Sequence, residues 1–315
     1  MTGSTWSVVG GSGFIGRSIV AELEKRHKAY SALSAPRLDV PRRSLKGDAL
    51  RVASRDDVKR LTSQLAGTDV VVNAAGLARP GSAASGALYG ANAFLPLVVA
   101  EAAQQAGVRR IIHLSSAAVQ GRAASLDETM RLAPFSPYSE SKAMGERLLM
   151  DWSGSHDAGE RASLVIVRAT SVQGHTRDTT DRLARLARSG FSSVASPGTQ
   201  RTVVSSLQGL VDFVIAVGEA PGPVPGVVLQ PWEGTTVSSV LRDAGNREPK
   251  VLPRRLCGVA VCLGYAATAV LGRRHAGAVR RVELMWFGQE QDASWARSIR
   301  LEREFISSDS SRGAP

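Results

Sequence analysis

Tyr138 and Lys142 stand four residues apart in a stretch whose apolar spacing, up to Leu149, predicts a helix. Residues at positions i and i+4 of a helix share one face, so the two side chains are expected to lie together. A phenol has an ordinary pKa of about 10, and an adjacent ammonium group lowers that pKa because it stabilises the phenolate. Such a pair can exchange a proton with an alcohol or a ketone.

Ser115 and Ser116 lie at the end of a second element, the apolar run of residues 109–115, which predicts a buried strand. In open α/β sheets, ligands bind at the carboxyl ends of the strands. A serine hydroxyl at that edge can orient a reacting oxygen beside the tyrosine.

A glycine-rich turn connects a predicted strand, residues 4–9, to a predicted helix, residues 17–26. Its spacing matches G-x-G-x-x-G in the strand–turn–helix context that this motif needs. Glycine lets backbone N–H groups approach a pyrophosphate, and the helix N-terminus presents further N–H donors to that anion. We therefore predict a dinucleotide site at Gly10, Gly11, Gly13, Phe14, Ile15 and Gly16.

The residues after the second predicted strand, 29–34, bear on the identity of the dinucleotide. In NAD-binding folds an acidic residue near this strand's end accepts a hydrogen bond from the ribose 2′-OH, whereas arginine pairs with the 2′-phosphate of NADP. Here no carboxylate closes the strand, and Arg37 follows soon after. The pattern favours NADP over NAD, with Asp39 available to the ribose if the strand extends further.

Strands alternate with helices along the first half of the chain, with further strands at 68–73 and 163–170 and helices at 57–65 and 92–106. This alternation predicts an α/β fold with a Rossmann-type parallel sheet flanked by helices. The pattern is also compatible with a short strand at 49–53. Ala74, Ala75 and Gly76 follow the 68–73 strand, where small residues would let the chain pass close to a cofactor.

The alternation of strands and helices becomes less regular after about residue 175. Helices are expected there at 178–189, 207–217 and 236–244, and a strand at 227–230. We predict a Rossmann domain over residues 1–174 that carries the catalytic residues. A smaller mixed α/β lobe over residues 175–306 would bind the substrate and contribute in part to the main sheet. Residues 307–315 are predicted to form a disordered tail.

Composition and charge limit the expected partners, metal sites and cellular compartment. The net charge is +11, but the basic residues form no long run and no stretch interleaved with aromatics, so nucleic acid is not an expected partner. The two cysteines, Cys257 and Cys262, exclude a disulfide framework and a cysteine-based zinc cluster, and no metal site is predicted. Low cysteine usage and a polar start with no secretory signal predict a cytoplasmic protein.

Residues 256–272 carry no charge and are flanked by arginine pairs at 254–255 and 273–274. At about 1.5 Å per residue this segment spans roughly 25 Å, less than the roughly 30 Å of a hydrocarbon core. We predict a buried or amphipathic helix. Contact with a membrane surface is the less favoured alternative, to which flanking arginines would also be suited.

Taken in order, these motifs resemble the extended short-chain dehydrogenases/reductases of the NAD-dependent epimerase/dehydratase type, which modify nucleotide sugars. The resemblance covers about residues 5–175. The residues that carry it are Gly10, Gly11, Gly13 and Gly16, Asn73 to Gly76, Asn92, Ser116, Tyr138 with Lys142, and Val167 and Arg168 followed by Val172 and Gly174.

The resemblance implies roles for individual residues. Ser116, Tyr138 and Lys142 would be catalytic, and Asn92 would support the site. Tyr138 and Lys142 would also bind the cofactor, with Lys142 holding the nicotinamide ribose. Ser116 is preferred to Ser115 because it lies five residues before Gly121, the spacing usual in the family. The C-terminal lobe would bind the nucleotide and sugar, with Arg201 pairing with the diphosphate. A homodimer built from the 92–106 and 140–150 helices is also implied.

One departure from the family narrows the reaction. Dehydratases of this family carry an Asp-Glu pair directly after the catalytic hydroxyl, where this chain has Ala117 and Ala118. We therefore predict an NAD(P)-dependent nucleotide-sugar epimerase or 4-ketoreductase. The alternatives are a hydroxysteroid-dehydrogenase-like or other lipid-alcohol oxidoreductase at a membrane surface, and a non-catalytic NAD(P)-sensing module.

Overall fold

The computed structural model describes residues 3–45, 55–78, 83–155, 162–174, 178–271 and 276–299. The strands, in chain order, are β1 (Trp6–Val9), β2 (Tyr30–Leu33), β3 (Val70–Asn73), β4 (Arg110–Ser116), β5 (Ser125–Leu126), β6 (Ser163–Ala169), β7 (Ser171–Gln173), β8 (Ser193–Ala195), β9 (Val204–Ser206), β10 (Val227–Leu229), β11 (Lys250–Leu252) and β12 (Glu290–Gln291).

The helices are α1 (Phe14–Lys25), α2 (Arg55–Gln64), α3 (Gly86–Tyr89), α4 (Leu95–Gln105), α5 (Pro137–Gly154), α6 (Asp178–Arg188), α7 (Leu207–Glu219), α8 (Val237–Gly245), α9 (Arg254–Leu271), α10 (Ala276–Phe287) and α11 (Ser294–Ser298). A π-helical turn, Gly90–Phe94, joins α3 to α4. Short 3₁₀ turns occupy Arg42–Ser44 and Ala117–Gln120.

Six strands form the central sheet in the order β10-β6-β4-β3-β1-β2. β1 pairs in parallel with β2 and β3, and β4 pairs in parallel with β3 and β6. All four residues of β1 and of β3 are buried, as expected for strands covered by helices on both faces. The predicted Rossmann-type parallel sheet is confirmed.

Arg110 connects the central sheet to the end of α7 through hydrogen bonds. Its guanidinium, on β4, donates to the carbonyl oxygens of Val217 (2.6 Å), Ala220 (3.0 Å) and Gly222 (3.1 Å). The last carbonyls of a helix have no partner within the helix, and a cation there is favoured by the helix dipole. This buried arginine therefore provides hydrogen-bond donors for carbonyl groups at the end of α7 and in the turn-rich segment that follows it.

The chain divides into two units. The first comprises Met1–Gly121, Met130–Ala169 and Val211–Val228, and the second comprises Arg122–Thr129, Thr170–Leu210 and Leu229–Pro315. Within the second unit, β8 pairs in parallel with β11, and Val194, Val237 and Leu241 form a small apolar core with Ala187. The predicted domain boundary at residue 174 stays a prediction.

The helix expected to open at Asn92 begins six residues earlier, at Gly86. Ser85 caps it, because its side chain accepts a hydrogen bond from the N–H of Leu88 (3.2 Å). The run Gly86–Gln105 has the length and apolar composition of a membrane span, but 72% of its most apolar window is buried, as expected for a core helix. The expected strand at 49–53 and tail at 307–315 lie outside the described residues.

Candidate active site

The glycine-rich turn has the geometry of an anion cradle. Gly10 adopts φ +83°, a conformation that L side chains rarely take, and a Cβ there would lie 2.8 Å from the backbone of Ala75. A Cβ on Gly16 would collide with the carbonyl of Gly10. These glycines let α1, the turn and the segment after β3 approach one another with no side chains between them.

α1 begins at Phe14, three residues before the expected start, with Gly13 as its N-cap. Glycine has no side chain to cap the helix, and within the described residues no side-chain cap hydrogen bond is made at this end. The first turn also contains no carboxylate. The helix N-terminus therefore suits an anionic ligand, and the residues predicted to hold a pyrophosphate meet there.

The end of β2 lies next to this turn. The N–H of Gly10 donates to the carbonyl of Leu33 (2.8 Å), the last residue of the strand. Arg37 is exposed four residues further on, whereas Asp39 lies against Gly86 at the start of α3. The strand does not extend to Asp39, so the condition under which that carboxylate would serve the ribose is not met.

Asn92 is fully buried in the π-helical turn and joins three segments. Its amide exchanges two hydrogen bonds of 2.9 Å with the backbone of Leu77 and donates to Ser141 Oγ on α5 (3.0 Å). A Cβ on Gly76 would lie 2.8 Å from Asn92 Oδ1 and 3.2 Å from Lys142 Nζ. The structure thus brings Gly76, Asn92 and Lys142 together. Such π-helical turns are frequent at functional sites.

The N-terminus of α5 presents Tyr138. Ser136 caps the helix in a reciprocal arrangement with Ser139, and Pro137 occupies the first helical position. Tyr138 follows, half-buried, and Lys142 lies one turn further along the same face. The predicted helix carrying this pair is confirmed, and its start is fixed by a cap rather than left to fray.

Lys142 is buried at the carboxyl end of β4, where its Nζ donates to the carbonyl of Leu114 (2.8 Å). Burial lowers the pKa of Lys142 from 10.5 to about 8, and the nearby carboxylate of Glu146 opposes this shift. Ser116 ends β4, one residue beyond the predicted strand, and its Oγ accepts from the N–H of Ala118 (3.2 Å).

An ion pair under the site is the main feature that sequence reasoning missed. Glu146 and Arg168 are fully buried and joined at 2.8 Å, and Ser115 Oγ donates to the same carboxylate at 2.5 Å. Glu146 stands one helical turn after Lys142, which is the signal that could have found it. Ser115 therefore serves this pair, which leaves Ser116 as the hydroxyl at the strand end.

Lys142 makes the stability of the protein depend on pH in a specific direction. Between pH 8 and 10.5 the unfolded chain holds the proton that the folded protein has released, so stability rises with pH there. We expect the free energy of unfolding of the wild type, relative to Lys142→Met, to rise by about 2 kcal/mol from pH 8 to about pH 9.5. Urea unfolding of both proteins measures it; parallel pH curves would contradict the shift.

Arg201 lies in the second unit. Its guanidinium stacks on the ring of Trp232, 4.2 Å from the ring centroid, and its Nε lies 3.8 Å from a carboxylate oxygen of Glu290. The side chain is about half exposed. A stacked, partly exposed guanidinium retains donors for an anion, so the predicted diphosphate role stays a prediction with compatible geometry.

A parallel six-stranded sheet with a glycine cradle after its first strand defines a Rossmann-type dinucleotide-binding fold. Residues 6–217 match the model of the NAD dependent epimerase/dehydratase family. The chain therefore belongs to that family, and the resemblance found from the motifs is confirmed.

The individual relatives share low sequence identity with this chain. The chain is 26% identical over 209 residues to N-acetyl-α-D-glucosaminyl-diphospho-ditrans,octacis-undecaprenol 4-epimerase of Escherichia coli O157:H7, covering 66% of this chain and 61% of the relative. The match thus spans about three fifths of the relative's own length.

Two solved structures show the same fold at low identity. MoeE5 in complex with UDP-glucuronic acid and NAD has a TM-score of 0.62 at 21% identity, covering 94% of this chain and 92% of that one. The dTDP-4-dehydrorhamnose reductase of Bacillus anthracis in complex with NADP has a TM-score of 0.58 at 17% identity, covering 80% and 85%. Neighbours of this fold thus include both NAD and NADP complexes.

Proposed function

We propose that this protein is an NAD(P)-dependent epimerase or 4-ketoreductase acting on a sugar that is linked through a diphosphate. The observation that carries the proposal is the position of Lys142. Its Nζ lies beside Asn92 and Gly76, and Gly10 of the dinucleotide cradle packs on the neighbouring Ala75. The same lysine stands one turn after Tyr138 on α5.

These residues divide the proton chemistry among them. Tyr138 takes the proton of a sugar hydroxyl during oxidation and returns it to the ketone oxygen during reduction. The Lys142 ammonium favours the phenolate, and the Ser116 hydroxyl orients the reacting oxygen. The nicotinamide ring of the cofactor, when bound, supplies the hydride acceptor and donor. Asn92 holds the segment of residues 76–78 against α5, so the cofactor and the tyrosine keep their places.

Sugar dehydration is not part of the proposal. The family's dehydratases carry an Asp-Glu pair directly after the catalytic hydroxyl, and the positions directly after Ser116 are Ala117 and Ala118 in a 3₁₀ turn. Neither side chain carries a titratable group. An epimerase or reductase needs only the hydride exchange and a single proton relay, which Tyr138 and Lys142 can supply.

The relatives support the proposed substrate class. MoeE5 is complexed with a UDP-sugar, and the name of the Escherichia coli relative gives a sugar linked through a diphosphate to undecaprenol. Both substrates share a sugar attached to a diphosphate. We propose the same shared chemistry for this chain, with Arg201 as a diphosphate partner.

The nucleotide released by the purified protein on denaturation separates the two reactions. Stoichiometric NAD supports an epimerase that recycles a retained cofactor, and would make the preference for NADP inferred from Arg37 wrong. An empty protein that binds NADPH more tightly than NADH supports a 4-ketoreductase. Binding of neither nucleotide contradicts both and leaves the non-catalytic module.

Two glycine-to-alanine variants test whether the nucleotide binds at the glycine cradle: Gly16→Ala alters the cradle, and Gly154→Ala is its control. Gly16→Ala places a Cβ on the Gly10 carbonyl, and we expect it to weaken nucleotide binding at least ~10-fold, since it displaces the cradle from the pyrophosphate. Gly154→Ala lies at the end of α5, where a Cβ meets nothing within 4 Å, and should bind within about twofold of the wild type. Equal affinities for both variants would contradict the cradle.

A further inference from the structure

After its first two residues helix α9 carries no charged side chain, and one of its apolar sides faces solvent. Cys257 and Val261 pack inward, while Leu256, Val259 and Leu263 are 60%, 58% and 65% exposed. At about 100° per residue these three exposed side chains project within a narrow sector of the helix. Helices that are apolar on every side are normally covered on every side. The exposed side of α9 is therefore a candidate docking surface.

The exposed side continues into a groove between α9 and α10. Six side chains or backbone positions of the two helices line it, and all are apolar or aromatic: Ala260, Val261, Gly264, Val279, Val282 and Trp286. Gly264 allows this close packing, since a Cβ there would lie 3.1 Å from Val279. We call the groove and the three exposed residues of α9 the hairpin face.

The two helices are held together firmly, so the hairpin face is not the result of loose packing. Glu283 on α10 accepts from the hydroxyl of Tyr265 on α9 (2.7 Å), and it pairs with Arg122 (2.8 Å) and Arg280 (2.9 Å). The guanidinium of Arg122 also stacks 4.0 Å from the Tyr265 ring centroid. This cluster links the two helices to each other and to Arg122.

The rim of the hairpin face is cationic. Arg254 and Arg255 occupy the first two positions of α9 and are exposed, and Arg281 is exposed on α10. Arg254 stacks on the ring of Phe287 on α10, 5.1 Å from its centroid, whereas a cation such as Arg255 at a helix N-terminus is disfavoured by the helix dipole. By sequence the two helices carry one carboxylate, Glu283, which three partners already engage.

We propose that the hairpin face docks the protein on the surface of an anionic lipid bilayer. Apolar side chains of one helix side enter the boundary between headgroups and acyl chains, and the arginines at the rim meet the anionic headgroups. A second copy of this chain is a poorer occupant, because pairing the same face would oppose two sets of arginines in a protein of net charge +11.

Vesicle flotation tests this docking. The probes are vesicles of phosphatidylcholine with 30% phosphatidylglycerol and vesicles of phosphatidylcholine alone. We expect the wild type to float with the anionic vesicles and to remain below with the neutral ones. Leu256→Glu with Leu263→Glu should lower the bound fraction at least tenfold. Arg255→Glu with Arg281→Glu should remove the preference for anionic vesicles.

The control is Phe191→Glu, which places one such negative charge, against two in the Leu256/Leu263 variant, on an apolar side chain that is 82% exposed outside the hairpin face. It should float as the wild type does. Circular dichroism establishes that each variant is folded. The proposal is overturned if the wild type stays below with both kinds of vesicle, or if Phe191→Glu loses flotation equally. It is also overturned if the Leu256/Leu263 variant floats normally but changes from dimer to monomer in size-exclusion chromatography.

Discussion

Tyr138→Phe is expected to lower turnover of the cognate sugar at least ~100-fold, the usual scale for the loss of a general acid–base group. The substitution removes one oxygen and leaves the ring and the capped start of α5 in place. Nucleotide binding should remain, because the glycine cradle and Asn92 are unchanged. The loss should therefore appear in kcat, with the affinity for the nucleotide close to that of the wild type.

The measurement is steady-state turnover with UDP-glucose, UDP-glucuronic acid and dTDP-4-dehydrorhamnose, alongside nucleotide titration. Tyr30→Phe is the matched control, since Tyr30 begins β2 at the amino edge of the sheet, opposite the edge that carries Ser116. Its turnover should stay within about twofold of the wild type. Full activity of Tyr138→Phe would refute the proposed proton relay.

The sequence predicted those parts of the fold that depend on local pattern. Buried apolar runs and glycine spacing identified β1, the cradle and α1, because a parallel strand and a G-x-G-x-x-G turn each need particular residue types at fixed positions. Tyr138 and Lys142 were found for the same reason: four residues on a helix place two side chains together whatever packs around them.

Features that depend on contacts between distant segments were not predicted. The π-helical turn at Asn92 packs its backbone against Gly145 on α5, a contact between residues about fifty positions apart in sequence that no local pattern encodes. The strands β7, β8, β9 and β11 have three residues each, too few to show a period. α10 was missed because Arg280, Arg281 and Glu283 interrupt its apolar residues.

The buried pair of Glu146 and Arg168 is expected to contribute strongly to the stability of the protein. Arg168→Met should destabilise the protein by about 3–5 kcal/mol, because it leaves a carboxylate without its cation in the interior. The hydroxyl of Ser115, at 2.5 Å, still donates to this carboxylate, but a neutral donor does not replace a guanidinium. Urea unfolding followed by circular dichroism measures the change in the free energy of unfolding.

Arg242→Met is the matched control for this substitution. Arg242 is half exposed on α8, with Glu248 at 3.4 Å and Asp243 at 3.6 Å, and exposed pairs contribute about 0–1 kcal/mol. The double variant Glu146→Gln with Arg168→Met should recover much of the lost stability, since glutamine is uncharged and still accepts from Ser115. If Arg168→Met costs no more than Arg242→Met, the pair does not stabilise the floor of the site. If the double variant is no more stable than Arg168→Met, the cost comes from lost packing around the arginine stem rather than from the buried charge.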